Sequence, residues 1–374
     1  PPPIALPQAL EFRPAQGPGP GRTFDEVRQL CKSDAVFRSI FEQALQGCET
    51  ANQPAMAATC WIVGGDDRFA KMAARMLDEA KITESGSGSY SNVWSFALAW
   101  DWLHNHPALG AGLRERAAAR IAERLHTELA QLDDRGMALW HGRNQAANGA
   151  MIAALALAGR PGQEAELRRA AGHYAGALRA LDFSEGWPEG PSYWIYNRAL
   201  PYAMAADCYM SATGQETLAG TNIRGVMRKI GLWTVYSYGP NGVFEPYGDA
   251  WLGGTTLGVM GAWEASADYF ARLSRDAGVV AGADYLRVRS PAPYGKRPIH
   301  WYAALAYDPS LRPRDGYDPQ RPELWMRKHM PRTMLFGRDS LGVAFMHGEW
   351  GDQDGLFASF KAGDMLAHHD HYDT

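Results

Sequence analysis

The chain has 374 residues, 37 Lys and Arg against 41 Asp and Glu, a net charge of -4 and a 46% apolar share. That length can bury a true core, in one large domain or two of ordinary size. The charge balance, with no long basic run, argues against nucleic acid as partner, and no apolar stretch reaches the ~20 residues that span a bilayer, so no membrane insertion is expected.

Residues 1–23, beginning "PPPIALPQAL", read as an extended N-terminal segment. From residue 24, "FDEVRQLCKSDAVFRSIFEQALQG", "PAMAATCWIVGGDDRFAKMAARMLDEAKI" and "SYSNVWSFALAWDWLHNH" return apolar residues every three or four positions, as amphipathic helices do. The periodicity continues through "GLRERAAARIAERLHTELAQL", "NQAANGAMIAALALAG", "GQEAELRRAAGHYAGALRAL", "GPSYWIYNRALPYAMAADCYMSATG" and "TNIRGVMRKIGLWTVYSY". Consecutive helical hairpins must cover their remaining apolar faces, which favours an (α/α) toroid over residues 24–275. Residues 276–331 are rich in Pro, Gly, Asp and Arg and read as a linker and long loops with short helices. From 332 to 374 apolar and polar residues alternate, Leu341, Val343 and Phe345 on one face and Leu356, Ala358 and Phe360 on another, as in strands. About 40 residues are too few for an independent sandwich, so this is expected to be the beginning of an antiparallel β-sandwich. The fold class expected is therefore mainly α, a toroid followed by the start of that sandwich. Cys31, Cys48, Cys60 and Cys208 show neither metal-ligand spacing nor the density of a disulfide scaffold, and free thiols are expected.

Four stretches carry groups capable of chemistry. In "WHGRNQAANG", His141, Arg143 and Asn144 stand where a helix starts; Asn144 reads either as its N-cap or as a donor facing a cleft, where the helix dipole favours an anion. In "SEGWPEGPSYWIYNRALPY", Glu189 precedes a helix that places Tyr193 and Tyr196 on one face, with Trp194 in the core. A phenol, with a reference pKa of about 10, suits proton donation better than general-base work at neutral pH. In "NGVFEPYGDAWLGG", Tyr247, Asp249 and Trp251 suit a sugar-binding wall as well as a set of turns. In the tail "AHHDHYDT", a strand would put His369 and His371 on one side, half of a possible zinc site.

Taken in order, "NQAANGAMIAALALAG", "GWPEGPSYWIY", "YGDAWLGG" and "FKAGDMLAHHDHYDT" resemble the heparinase II/III-like polysaccharide lyases, which include alginate and heparan lyases. The resemblance spans about residues 90–374. It implies a toroid joined to an antiparallel β-sandwich, and β-elimination at a uronic acid to leave a 4,5-unsaturated sugar. It also implies roles: Asn144 or His141 neutralising the uronate carboxylate, Tyr196 (Tyr193 second) and His369 exchanging protons, and His371 holding zinc in some relatives. Arg143, Glu189, Tyr247, Asp249 and Trp251 complete the expected substrate-binding set. The expected partner is an acidic polysaccharide or oligosaccharide, the expected location periplasmic or secreted, and no cofactor beyond a structural zinc is called for.

Two other readings compete. An (α/α)-barrel glycosidase would need two carboxylates about 6.5–9.5 Å apart for inversion, for which Glu189 and Asp249 are the candidates. A carbohydrate-binding protein would need only the aromatic wall.

Overall fold

The computed structural model describes residues 23–48, 53–83, 91–133, 139–195, 199–240, 242, 244, 247–248, 263–289, 303–314, 316–367 and 370. The described chain is mainly helical, with a small antiparallel sheet near its C-terminal end. It divides into two compact units, residues 1–136, 142–176 and 204–220, and residues 137–141, 177–203 and 221–374.

In the first unit, α1 (Phe24–Ser33) begins on a capping box: the Thr23 hydroxyl accepts from Glu26 N, and the Glu26 carboxylate accepts from Thr23 N. Asp34 ends α1, and its side chain accepts from Phe37 N to start α2 (Ala35–Cys48). After α3 (Pro54–Gly64), Gly65 takes the left-handed conformation and Asp66 caps α4 (Asp67–Glu79). Every residue of α5 (Val93–Trp102) is buried, which makes it this unit's central helix. It packs on α3, α4 and α6 (Ala111–Asp133). Arg120 of α6 reaches the C-terminal carbonyls of α4, supplying donors to groups that have none within the helix. The unit also takes in most of α7 (His141–Ala156) and the first part of α8 (Glu164–Ser184).

The chain then passes through α9 (Pro191–Ile195) and α10 (Ala199–Thr213) and the two-residue strands β1 (Thr217–Leu218) and β2 (Thr221–Asn222). The second unit is built on α11 (Ile223–Tyr236), capped by Asn222, with α12 (Trp263–Ser274) and α13 (Ala277–Arg289) packed together. Helix α13, in the segment expected to hold a linker and long loops with short helices, is buried from Val279 to Arg287. Its Arg287 pairs with Asp268 and Asp284, and Asp284 also accepts from Arg312 and the Tyr317 hydroxyl. Those bonds tie down the chain between α14 (Ala303–Ala306) and α15 (Pro322–His329).

Strands β3 (Thr333–Phe336), β4 (Val343–His347) and β5 (Phe357–Lys361) form an antiparallel sheet in that order. Phe336, Val343, Phe345 and His347 are buried, and Tyr236 of α11 meets the rings of Phe336 and His347. The opposite face, with Leu335, Met346 and Phe360 in neighbouring register, is exposed. That division follows the period-two alternation read from the sequence.

The cysteine expectation needs one correction. Cys31 and Cys208 form no disulfide, but Cys60, in the buried α3, is disulfide-bonded. Density and spacing of Cys along a chain do not reveal a single bridge, because the pairing is a matter of three-dimensional approach.

Candidate active site

The second unit holds a tightly braced loop between α8 and α9. Glu185 takes a positive φ of 57° as the chain leaves α8, and its side chain is held by Lys229 and by Gly337 N. The Tyr247 hydroxyl donates to Trp187 O at 2.8 Å and accepts from Trp233 Nε1 at 3.1 Å. Gly190, at φ 89°, lies so close to Tyr247 that a Cβ would collide with the Tyr247 carbonyl oxygen. These contacts fix Glu189 in place.

Glu189 has no exposed surface. Its carboxylate accepts the backbone N–H of His141 at 3.0 Å, while His141 Nδ1 lies 3.1 and 3.2 Å from its two oxygens. A carboxylate can only accept, so Nδ1 carries its hydrogen toward Glu189. Tyr193 of α9 stacks on the imidazole at a 4.6 Å centroid distance, and Trp140 tilts against it at 5.4 Å. A buried carboxylate needs hydrogen bonds, and His141 supplies them from its backbone N–H and its ring. The cluster holds an oriented imidazole beside two aromatic rings.

Asn144 is not the cap of α7. The helix starts three residues earlier, where the first N–H is satisfied by the remote Glu189 rather than by a local side chain. Asn144 is fully buried, and its Oδ1 accepts from Asn148 Nδ2 at 2.9 Å. Arg143 is turned to structural work in the first unit: it donates to Leu132 O at 2.6 Å and lies 3.2 Å from His173 Nδ1. His173 in turn contacts Asp133 at 2.8 Å, and its pKa is lowered chiefly by burial.

Of the expected residues, the structure brings His141, Glu189 and Tyr193 together. It places Tyr247 in the core behind them, with its hydroxyl bonded on both sides. Tyr196, Asp249, Trp251, His369 and His371 lie outside the described residues. Among the described residues no three His, Cys, Asp or Glu side chains group as metal ligands. Sequence reasoning did not select Asp370, whose carboxylate is buried against Lys361 Nζ at 2.5 Å and Leu366 N at 2.9 Å. It lies between two histidines, and its signal was the same tail string. Asn148 was also passed over, though its spacing of four from Asn144 was visible.

No family model matches the chain, and no curated protein matches it either.

Proposed function

We propose that this protein is a polysaccharide lyase that cleaves a uronic-acid-containing acidic polysaccharide, of alginate or glycosaminoglycan type, by β-elimination. The observation that carries the proposal is the His141–Glu189 pair with Tyr193 stacked on the imidazole, which joins two stretches singled out for this chemistry. Removal of the C5 proton builds negative charge on the uronate carboxylate, so donors to that carboxylate must strengthen in the transition state. His141, oriented by Glu189, or Asn144 serves as such a donor. Tyr196 and His369 exchange the protons: one takes the C5 hydrogen, its electron pair forms the C4–C5 double bond, the C4–O bond breaks, and the other protonates the departing oxygen.

The finer architecture is proposed on the same footing. The packed helices of each unit suit a toroid, and the exposed apolar face of β3–β4–β5 suits one layer of a β-sandwich. The Cys60 disulfide suits an oxidising compartment, periplasmic or extracellular. Neither rival reading draws equal support. A glycosidase needs a carboxyl free to meet the glycosidic oxygen, whereas Glu189 is buried with both oxygens engaged by His141. A binding protein has no use for an imidazole oriented by a buried carboxylate.

The test is a panel of alginate, heparan sulfate, chondroitin sulfate, hyaluronan and ulvan, followed by ultraviolet absorbance of the unsaturated product, with and without chelator. Absorbing product from at least one substrate is expected. Saccharide release without it would give the glycosidase reading instead.

A further inference from the structure

The neighbours of His173, on α8 in the first unit, fix where its protons sit. Nδ1 lies 3.2 Å from Arg143 Nη2 of α7, and Nε2 lies 2.8 Å from Asp133 Oδ1 of α6. A guanidinium has only donors, so Nδ1 is bare; a carboxylate only accepts, so Nε2 carries the hydrogen. His173 is therefore neutral. The other arm of the same guanidinium, Nη1, donates to Leu132 O in the last turn of α6, where carbonyls have no partner within the helix. Leu132 and Asp133 are consecutive, so the three bonds close a ring through α6, α7 and α8.

We propose that this ring is an acid-sensitive latch, closed while His173 is neutral and opened when Nδ1 takes a proton. Protonation keeps the bond to Asp133 but sets two cationic donors face to face, so Arg143 must withdraw from the imidazole. Among the described residues, the charged groups facing His173 are Asp133 from α6, Arg143 from α7 and Arg169 from α8 itself. Arg169 also pairs with Asp133 at 2.7 Å and with Glu166 at 3.6 Å, and Glu166 meets His126 of α6 at 3.2 Å. Burial holds the His173 pKa below its ordinary value, Asp133 opposing and the two arginines reinforcing. The unfolded chain, titrating near 6.5, takes up the proton first, so the latch contributes its full stability above that pH and loses it in acid. The loss falls on the start of α7, whose first residue is His141.

Neither measurement below reads turnover, so the latch and the lyase reading stand or fall separately. The imidazole 15N resonances of His173 report its tautomer and charge. Near neutral pH a bare Nδ1 and a protonated Nε2 are expected, with a titration midpoint below that of a free histidine. Arg143→Met removes the donor from Nδ1 and should raise the midpoint by about one unit, the ordinary spread for histidines in folded proteins. Amide hydrogen exchange over the first turns of α7, corrected for its intrinsic pH dependence, should lose about tenfold in protection when the wild-type protein is brought below that midpoint. In His173→Gln the amide accepts from Arg143 and donates to Asp133 but does not titrate, so protection should stay constant. A protonated Nδ1 near neutrality overturns the proposal, as does a midpoint unmoved in Arg143→Met. Equal loss of protection in acid by the wild type and His173→Gln also overturns it. If either variant does not fold, the wild-type tautomer and midpoint decide.

Discussion

The carboxylate of Glu189 bonds both the backbone N–H and the Nδ1 of His141, residues 48 positions apart. One side chain thus starts α7 and orients the imidazole at its first position. Replacing Glu189 by Gln keeps the shape, but the amide nitrogen is a donor that cannot accept from His141. Turnover should fall by roughly 100-fold or more; neutralising the carboxylate behind the catalytic histidine of a serine protease costs about 10⁴-fold. A turnover assay of the folded variant checks this, and wild-type turnover would remove Glu189 from the mechanism.

Gly190 touches nothing reactive, yet its substitution should act on the site. At φ 89° and pressed on the Tyr247 carbonyl, it has no room for a methyl group. Gly190→Ala should cost at least about 2 kcal/mol of stability, from backbone strain and the steric clash together. It should also displace Glu189 from His141. Chemical denaturation and a turnover assay on the same preparation would show both losses together.

The two tyrosines are expected to part company. Tyr193 meets His141 face to face, so Tyr193→Phe keeps the stacked ring and should keep most activity. Tyr193→Leu gives up an aromatic pair worth about 1 kcal/mol and should loosen the imidazole. Tyr196→Phe removes the proposed proton donor and should abolish turnover while polysaccharide binding survives. Equal activity in Tyr196→Phe and the wild type would eliminate Tyr196 from the chemistry.

Much of this was legible before any coordinates. Helices with one apolar stripe and a local cap, such as α1 and α4, follow from their residues. Helix α13 does not, because it is buried on all sides and its Arg287 is neutralised by Asp268 and Asp284; without a polar face it has no period to read. Asn144 looked like a cap because it is the residue type that caps helices. The true start of α7 is satisfied from 48 residues away, and no local pattern encodes that. His141 and Glu189 could each be picked out by residue type and neighbours. Their pairing depends on Gly190 lying against Tyr247, a long-range contact. Tyr247 itself read as a possible sugar wall because an aromatic in a Gly-rich loop looks the same whether it faces solvent or core.

Redox state offers a check on the compartment. Alkylation of the unfolded, unreduced protein should label Cys31 and Cys208 and leave Cys60 unmodified until a reductant is added. Peptide mass mapping reads this directly. Labelling of Cys60 without reductant would withdraw the disulfide and the support it lends to export.

His347 gives the fold a pH dependence of known sign. It is buried in the second unit, stacked on Trp350 at 4.1 Å, and its Nε2 donates to Tyr236 O at 3.0 Å. Burial lowers its pKa to about 4, the bond to the Tyr236 carbonyl opposing only in part. In the unfolded chain the same imidazole titrates near 6.5. Between those two values the unfolded state binds the extra proton, so stability rises with pH across that window. The contribution is fully present above about pH 6.5 and declines as pH falls to about 4, where some 3 kcal/mol has been lost. Replacement by Gln, which can still donate to Tyr236 O but does not titrate, should flatten this slope while lowering the plateau through poorer stacking. Urea unfolding of both proteins from pH 4 to 7 measures the difference; parallel slopes would mean that His347 is not the group responsible.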